Sequence, residues 1–291
     1  MKILETKLGQ HGLLIILAFI WGTSFILMKK GLLSFSDTQV AAFRIFISFI
    51  FLLPFIIRHI RKINKFNLKS FIIVGFVGTA IPAFMFTKAQ TQIDSALAGI
   101  LNSTTPLFAL IIGMSIYKTT PKWYNIVGVI IGFIGAAGLI FKGETGIFDQ
   151  INWYALFIII ATTCYGLNIN EVKTFLSKYN GITITALGFL VIGPWAGIYL
   201  AFQDYSYTFT TENYGMNFLY IVLLALFSSV IALIGFNTLI KYTTALYASS
   251  VTYIIPIFAI FWGLADGEAM TVFQVAWMLL ILAGVYLVNR K

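Results

Sequence analysis

The sequence predicts an all-α integral membrane protein: ten transmembrane helices in two inverted five-helix repeats, with both termini cytoplasmic. Three observations lead there. The chain is 59% hydrophobic and only 10% charged, whereas soluble domains carry about 25% charged residues. Apolar runs of roughly the 20 residues that span hydrocarbon recur along its whole length. Two of these runs share one pattern of small, polar and proline positions. The first is Ser95 to Gly113, SALAGILNSTTPLFALIIG, and the second is Ala245 to Gly263, ALYASSVTYIIPIFAIFWG.

The predicted spans, in order, are Gly12–Leu32, Thr38–Ile57, Phe71–Lys88, Ser95–Tyr117, Trp123–Phe141, Trp153–Asn170, Ile182–Phe202, Asn217–Ile240, Ala245–Leu264 and Thr271–Val288. Most loops are short, so neighbouring helices run antiparallel. The longest connections are Arg58–Ser70 and Gln203–Met216. The first run lacks a small-x-small cleavage site and is followed at once by further spans, so it reads as a membrane helix rather than a secretory signal.

Lys and Arg set the orientation. With loops numbered alternately, fourteen of the nineteen fall on the side of the termini. Four, Lys29, Lys30, Lys88 and Lys142, fall on the other, and Arg44 lies within a span. Acids show the opposite bias, with only Glu5 and Glu171 on the basic side. The positive-inside rule makes that side cytoplasmic. The net charge of +9 is therefore a topology signal spread over short loops, and no nucleic-acid partner is expected. The single cysteine, Cys164, and the two histidines, His11 and His59, build no metal site, and no cofactor motif is present.

Five helices per half is an odd number, so the second half enters the bilayer from the opposite face. The halves are 1–145 and 146–291, together one transmembrane domain. In the ungapped alignment Ala98 meets Ala248, Pro106 meets Pro256, Phe108 meets Phe258, Ala109 meets Ala259, Gly113 meets Gly263 and Phe86 meets Phe236. Pro106 and Pro256 each lie about 16 Å into their helices at ~1.5 Å per residue, near the midplane. More weakly, Trp21-Gly22 matches Tyr165-Gly166, and Lys29 matches Lys173.

These residues also carry a family resemblance. The Trp21-Gly22 pair, Phe43-Arg44, the Pro-x-Phe-Ala motifs at Pro106–Ala109 and Pro256–Ala259, and Gly267-Glu268 after the ninth span resemble the EamA-like family of the drug/metabolite transporter superfamily. The resemblance covers essentially the whole chain. It implies transport of a small metabolite, often outward. One departure stands out: where the family shows a Gly-Glu after the fourth span, this chain has Tyr117-Lys118.

Proline lacks a backbone N–H, so Pro106 cannot bond the carbonyl of Asn102, nor Pro256 that of Thr252. Such a break is tolerated in the bilayer beside a cavity, water or another helix. Helices broken here and carrying small and polar stripes point to a binding site at mid-depth. Its expected residues are Trp21, Asn102, Thr105, Tyr165, Asn168, Thr252 and Tyr253, with Pro106 and Pro256 as the helix breaks. Arg44 joins them as the strong charge inside a span. It binds a substrate carboxylate, or it caps exposed carbonyls and pins helices. The second role is favoured, because the resemblance brings an arginine here whatever the substrate. Glu268 is the candidate coupling residue, since no carboxylate lies in the central third of any span. Gly128, Gly132, Gly135 and Gly138 form a ridge suited to close packing within the chain or, less strongly, to dimerisation.

The expected function is secondary transport of a small, amino-acid-like or other neutral or zwitterionic solute across the cytoplasmic (inner) membrane, by alternating access and outward. The partners are that solute and membrane lipid, and the chain is a monomer or weak homodimer. Two alternatives remain: an integral-membrane enzyme acting on lipid headgroups, for which no convergent acid, base or metal set is visible, and a channel, which needs a continuous polar face. Cysteine labelling in whole cells tests the topology: reporters at Lys65 and Lys291 should be cytoplasmic, and those at Thr210 and Gly267 outside. Termini on opposite faces would overturn it.

Overall fold

The computed structural model describes residues 6–140 and 152–290. All regular structure among them is helical. In chain order the principal helices are α1 (Lys7–Gly31), α2 (Asp37–His59), α3 (Leu68–Ala89), α4 (Ser95–Ser115), α5 (Trp123–Ile140), α6 (Tyr154–Leu176), α7 (Gly181–Ala201), α8 (Tyr214–Tyr242), α9 (Ala245–Ala265) and α10 (Val272–Asn289). Eight are long and apolar enough to cross a membrane; α5 and α10 are the two shorter apolar helices. The protein is therefore a multi-pass membrane protein. The expectations resting on Lys2, Glu5, Lys142, Lys291, the end of the fifth span at Phe141 and the boundary between 145 and 146 lie outside the described residues.

Polar residues just before the apolar runs start the helices. Ser36 and Gln39 form a reciprocal capping box on α2, and Thr271 and Gln274 form another on α10. Asn180 and Thr244 accept from Thr183 N and Tyr247 N, at 2.8 and 3.0 Å. Each cap satisfies an amide that has no partner inside its own helix.

The interiors are less regular than the sequence suggests. α4 breaks at Ser103 and Thr104, before Pro106. α9 tightens into a 3₁₀ turn over Ser250–Tyr253, before Pro256. In both breaks hydroxyls donate back to carbonyls three residues earlier. In α4, Ser103, Thr104 and Thr105 donate to the carbonyls of Ile100, Leu101 and Asn102, at 2.5, 2.8 and 2.8 Å. In α9, Ser249, Ser250 and Thr252 donate to Leu246, Tyr247 and Ser249, at 2.8, 2.6 and 2.9 Å. The Asn102 carbonyl, expected to be bare, is thus paired by the Thr105 hydroxyl. A second device is the π-helix, over Ile73–Ala80 in α3 and Leu224–Ile231 in α8. Wider π turns shift the carbonyl ladder and aim polar groups sideways.

Glycines set the helix crossings. α5 packs along α10, α2 along α7, α1 against α9 and α4 against α6. At the α1–α9 crossing, a Cβ on Gly22 would lie 3.1 Å from the Ile255 carbonyl and 3.2 Å from the Ala259 amide. At the α6–α4 crossing, one on Gly166 would lie 2.7 Å from the Ala109 amide and 2.8 Å from the Phe108 carbonyl carbon. The Gly128–Gly138 ridge faces α10, where Gly128 and Gly132 meet the backbone around Gly284. This ridge is consumed within the chain.

Gly166→Ala should destabilise the protein. The helix-propensity gain is about 1 kcal/mol, but overpacking against backbone costs ~1–3 kcal/mol, and backbone at 2.7 Å cannot step aside. Gly12→Ala, with nothing within 4 Å of the added atom, should be neutral or stabilising. Thermal unfolding in detergent decides; equal behaviour of the two would overturn this account of the crossings.

Candidate functional site

A cavity lies where the helix irregularities meet. Trp21, Arg44, Asn102, Thr105, Tyr165, Asn168 and Thr252 all line it. The residues come from α1, α2, α4, α6 and α9, so the fold brings together positions up to 231 apart in sequence. Tyr253 is the exception. Its hydroxyl donates to the Val285 carbonyl on α10 at 2.7 Å, away from the cavity. The reason is helical geometry: neighbouring residues point ~100–120° apart, so Thr252 and Tyr253 cannot share a face. Pro106 and Pro256 are buried beneath the site.

Two ring pairs flank the cavity. Trp21 meets Phe236 edge-on, with centroids 5.1 Å apart. Tyr165 stacks on Phe86, with centroids 6.0 Å apart. These are the residues that the sequence alignment pairs, Trp21 with Tyr165 and Phe86 with Phe236. The two phenylalanines were legible as a repeat but not as a site.

The π segments supply what the sequence reading missed. Gly78 and Thr79 reach the cavity from α3 and Ser228 from α8. The Ser228 carbonyl accepts from the Trp21 indole at 3.1 Å. The Arg44 guanidinium donates from Nε to Ser229 Oγ at 2.6 Å and from Nη2 to Ser228 Oγ at 3.4 Å. Arg44 therefore turns into the protein and does not snorkel to the outer face. Two adjacent hydroxyls in an otherwise apolar stretch were the available signal. Against the Gly78 backbone packs Asn168, where any side chain at 78 would collide with the amide.

At the face expected outside, four charges tie three helix ends together. Lys29 at the end of α1 pairs with Asp266 at 2.9 Å and Glu268 at 2.8 Å, and Lys30 pairs with Asp266. Glu268 also accepts from the Ser95 and Ala96 amides, each at 3.0 Å. It thus occupies the N-terminus of α4, where partial positive charge favours a carboxylate. Glu268 is 8% exposed, not a solvated vestibule acid. Burial pushes its pKa up, but the Lys29 hydrogen bond and the two amides outweigh that, leaving it below the ordinary value. Asp266 is likewise lowered, first by its hydrogen bond from Lys30.

The opposite face lacks this arrangement. There the loop after α4 folds back so that Thr119 N bonds the Gly113 carbonyl at 2.9 Å, as Glu268 N bonds that of Gly263 at 2.9 Å. Thr119, rather than Lys118, stands beside Gly113 in the place of the acid. Lys173 donates instead to the carbonyls of Ile240, at 3.1 Å, and Thr243. Glu171 accepts from Tyr117, at 2.5 Å, and Ser70, at 2.6 Å. Burial, then Glu171, pushes the Tyr117 hydroxyl well above the usual phenol range.

A bundle of apolar helices enclosing a mid-depth cavity defines a membrane protein of the transporter type. The chain belongs to the EamA-like transporter family, whose profile matches residues 10–141 and 152–290. It is 24% identical over 273 residues to an Archaeoglobus fulgidus protein named an uncharacterized transporter, spanning 93% of this chain and 95% of that one. It is 26% identical over 277 residues to the Escherichia coli K12 protein named uncharacterized inner membrane transporter YedA, spanning 94% and 87%. In fold it resembles a solved crystal structure with a TM-score of 0.67 at 14% identity, over 97% of this chain and 96% of the other.

Glu268→Gln removes the charge and leaves a single acceptor oxygen where the Ser95 and Ala96 amides each use a separate one. The expected cost is about 1–3 kcal/mol, below the ~3–5 of a fully buried pair, because Lys29 remains 32% exposed. A carboxylate with a lowered folded-state pKa stabilises above its unfolded value and loses that contribution as pH falls through the folded one. Wild type should therefore hold its extra stability at neutral pH and lose it only in acid below the usual 4.5. Thermal unfolding against pH reads this out, and a Glu268→Gln curve parallel to wild type would overturn it.

Proposed function

We propose that this protein is a secondary transporter that moves a small, amino-acid-like or other neutral or zwitterionic solute across the cytoplasmic membrane by alternating access. The observation that carries the reading is the cavity at the helix breaks, where hydrogen-bonding groups are gathered between rings. Sites that set a few convergent polar groups among apolar and aromatic side chains suit small organic ligands. The direction is outward, as the family resemblance implies. The membrane assignment draws support from YedA, which is named an inner membrane transporter.

In this reading ten helices span the bilayer, with both termini cytoplasmic. The halves are 1–145 and 146–291, related by inversion. The matched ring pairs, the matched glycine crossings and the two family-profile matches support the repeat. The ion pairs around Glu268 latch the outer ends of α1, α4 and α9, and rocking of the repeats must break them before the cavity opens outward. Glu268 couples to protons only if that latch is released, because its carboxylate is held ionised. The consumed glycine ridge favours a monomer over a weak homodimer.

Screening labelled metabolites for flux in proteoliposomes tests the function, and no flux above protein-free liposomes for any solute would sink it. For a solute that moves, Asn102→Ala and Thr252→Ala should each weaken transport about 2–10-fold, the factor from ~0.5–1.5 kcal/mol per lost hydrogen bond. Tyr253→Phe should leave transport near wild type and cost about 1 kcal/mol of stability through the lost Val285 bond. Reversal of that order would return Tyr253 to the site.

A further inference from the structure

The central cavity holds one strong positive charge and no negative one. Arg44 lines it, and no Asp or Glu is among the lining residues. The ion pairs among the described residues join Lys29 or Lys30 to Asp266 or Glu268, and Lys88 to Asp37; none involves Arg44. Its hydrogen-bond partners, Ser228 and Ser229, are neutral hydroxyls. A guanidinium has five N–H donors in a planar fork, so most of that fork is left for another acceptor. α7 contains no lysine or arginine.

Two asparagines that line the cavity carry amide oxygens with nothing to accept. Asn102 Oδ1 and Asn168 Oδ1 are buried and receive no hydrogen bond within the protein. Their residues are 7% and 6% exposed, and both line the cavity. An unpaired buried acceptor is costly, and so is a part-buried cation without a counter-charge. Both costs vanish if one ligand brings an anion to Arg44 and N–H or O–H donors to the two asparagines.

We propose that the solute is a small carboxylate bearing hydrogen-bond donors, held by a salt bridge from Arg44 and by donation to Asn102 and Asn168. Arg44 is thus a substrate receptor as well as a helix pin. Carboxylate suits the fork because its two oxygens accept two parallel N–H bonds. The rings of Trp21, Phe86, Tyr165 and Phe236 receive the apolar remainder. The inference deepens the transporter reading and rests on it for the location of the site, but its test is binding, not flux.

The probes are amino acids, their 2-hydroxy acid analogues and their amides, added to full-length protein in detergent while thermal unfolding is followed. Carboxylates should raise the unfolding temperature, and the matching amides should not. A response to amino acids and hydroxy acids together assigns the site to carboxylates generally; a response to amino acids alone adds a demand for the ammonium. Arg44→Gln should weaken binding at least roughly tenfold, and Arg44→Lys by less. Asn102→Ala should weaken binding while keeping the preference for carboxylate over amide. The amide comparison uses wild type only, so it stands even if Arg44→Gln fails to fold. Equal stabilisation by amide and carboxylate, no stabilisation by any carboxylate, or undiminished binding to folded Arg44→Gln would overturn the inference. Flux of uncharged solutes alone would keep the transporter reading and discard this one; carboxylate binding without flux of any solute would do the reverse.

Discussion

A backbone polar group in hydrocarbon must find a partner within the protein, and the rest of this structure follows from that constraint. An unbroken helix meets it residue by residue. Function requires polar groups at mid-depth, and an unbroken helix offers none of its backbone there. The chain resolves the conflict locally. Beside Pro106 and Pro256, runs of Ser and Thr donate back three residues, and the Thr105 hydroxyl takes the Asn102 carbonyl that Pro106 frees. Where α8 widens into a π-helix, the Ser228 carbonyl goes to Trp21 and that of Ala225 to Ser48, at 3.1 Å. The cavity sits where these local rearrangements meet.

The crossings explain why neither half encloses the cavity by itself. Gly22 in the first half lies against Phe258 and Ala259 in the second, while Gly166 in the second lies against Phe108 and Ala109 in the first. α5 and α10 pack along a shared glycine seam, again one from each half. Small residues are needed because packing between membrane helices depends on close backbone approach rather than on expelling water. A helix face that brings backbones within van der Waals contact has no tolerance for a methyl group. The same sequence positions recur in both halves because the same crossing is made twice.

Much of this was legible in the sequence, for reasons that differ by residue. Pro106 and Pro256 announce a break by chemistry that no neighbour can cancel. Asn102, Thr105, Asn168 and Thr252 declare themselves because a polar side chain at mid-depth needs a polar place to go. Tyr253 misled because composition was weighed ahead of geometry, and its ring belongs to the seam with α10. The π segments were invisible: Gly78, Thr79, Ser228 and Ser229 show no periodicity that separates a π turn from an α turn. The latch was invisible in a different way. Glu268 and Lys29 are 239 residues apart, and an acid at a helix end reads as solvated until its partners are known. Thr119 was missed because an ungapped alignment cannot show that the first-half loop is one residue longer.

The symmetric frame and the asymmetric charges belong to different levels of the molecule. Volume and backbone pairing fix the frame, and both halves meet those demands with matching residues: Trp21 and Tyr165, Phe86 and Phe236, Gly22 and Gly166. Two of the strong charges have no such counterparts. Arg44 has no basic residue answering it on α7, and Glu268 is answered by Thr119. A transporter with equivalent halves would favour neither face, since its two end states would be mirror packings of equal energy. In the proposed transporter the ion pairs seen among the described residues, which lie on one face, remove that equality: they stabilise the state in which the ends of α1, α4 and α9 on that face stay together. On the proposed reading, a solute that neutralises Arg44 must supply part of the difference, because a ligand shifts a conformational equilibrium only by its differential affinity for the two states. On the same reading, the few charged residues that depart from the repeat set both what is carried and which face opens at rest, within a frame that by itself specifies neither.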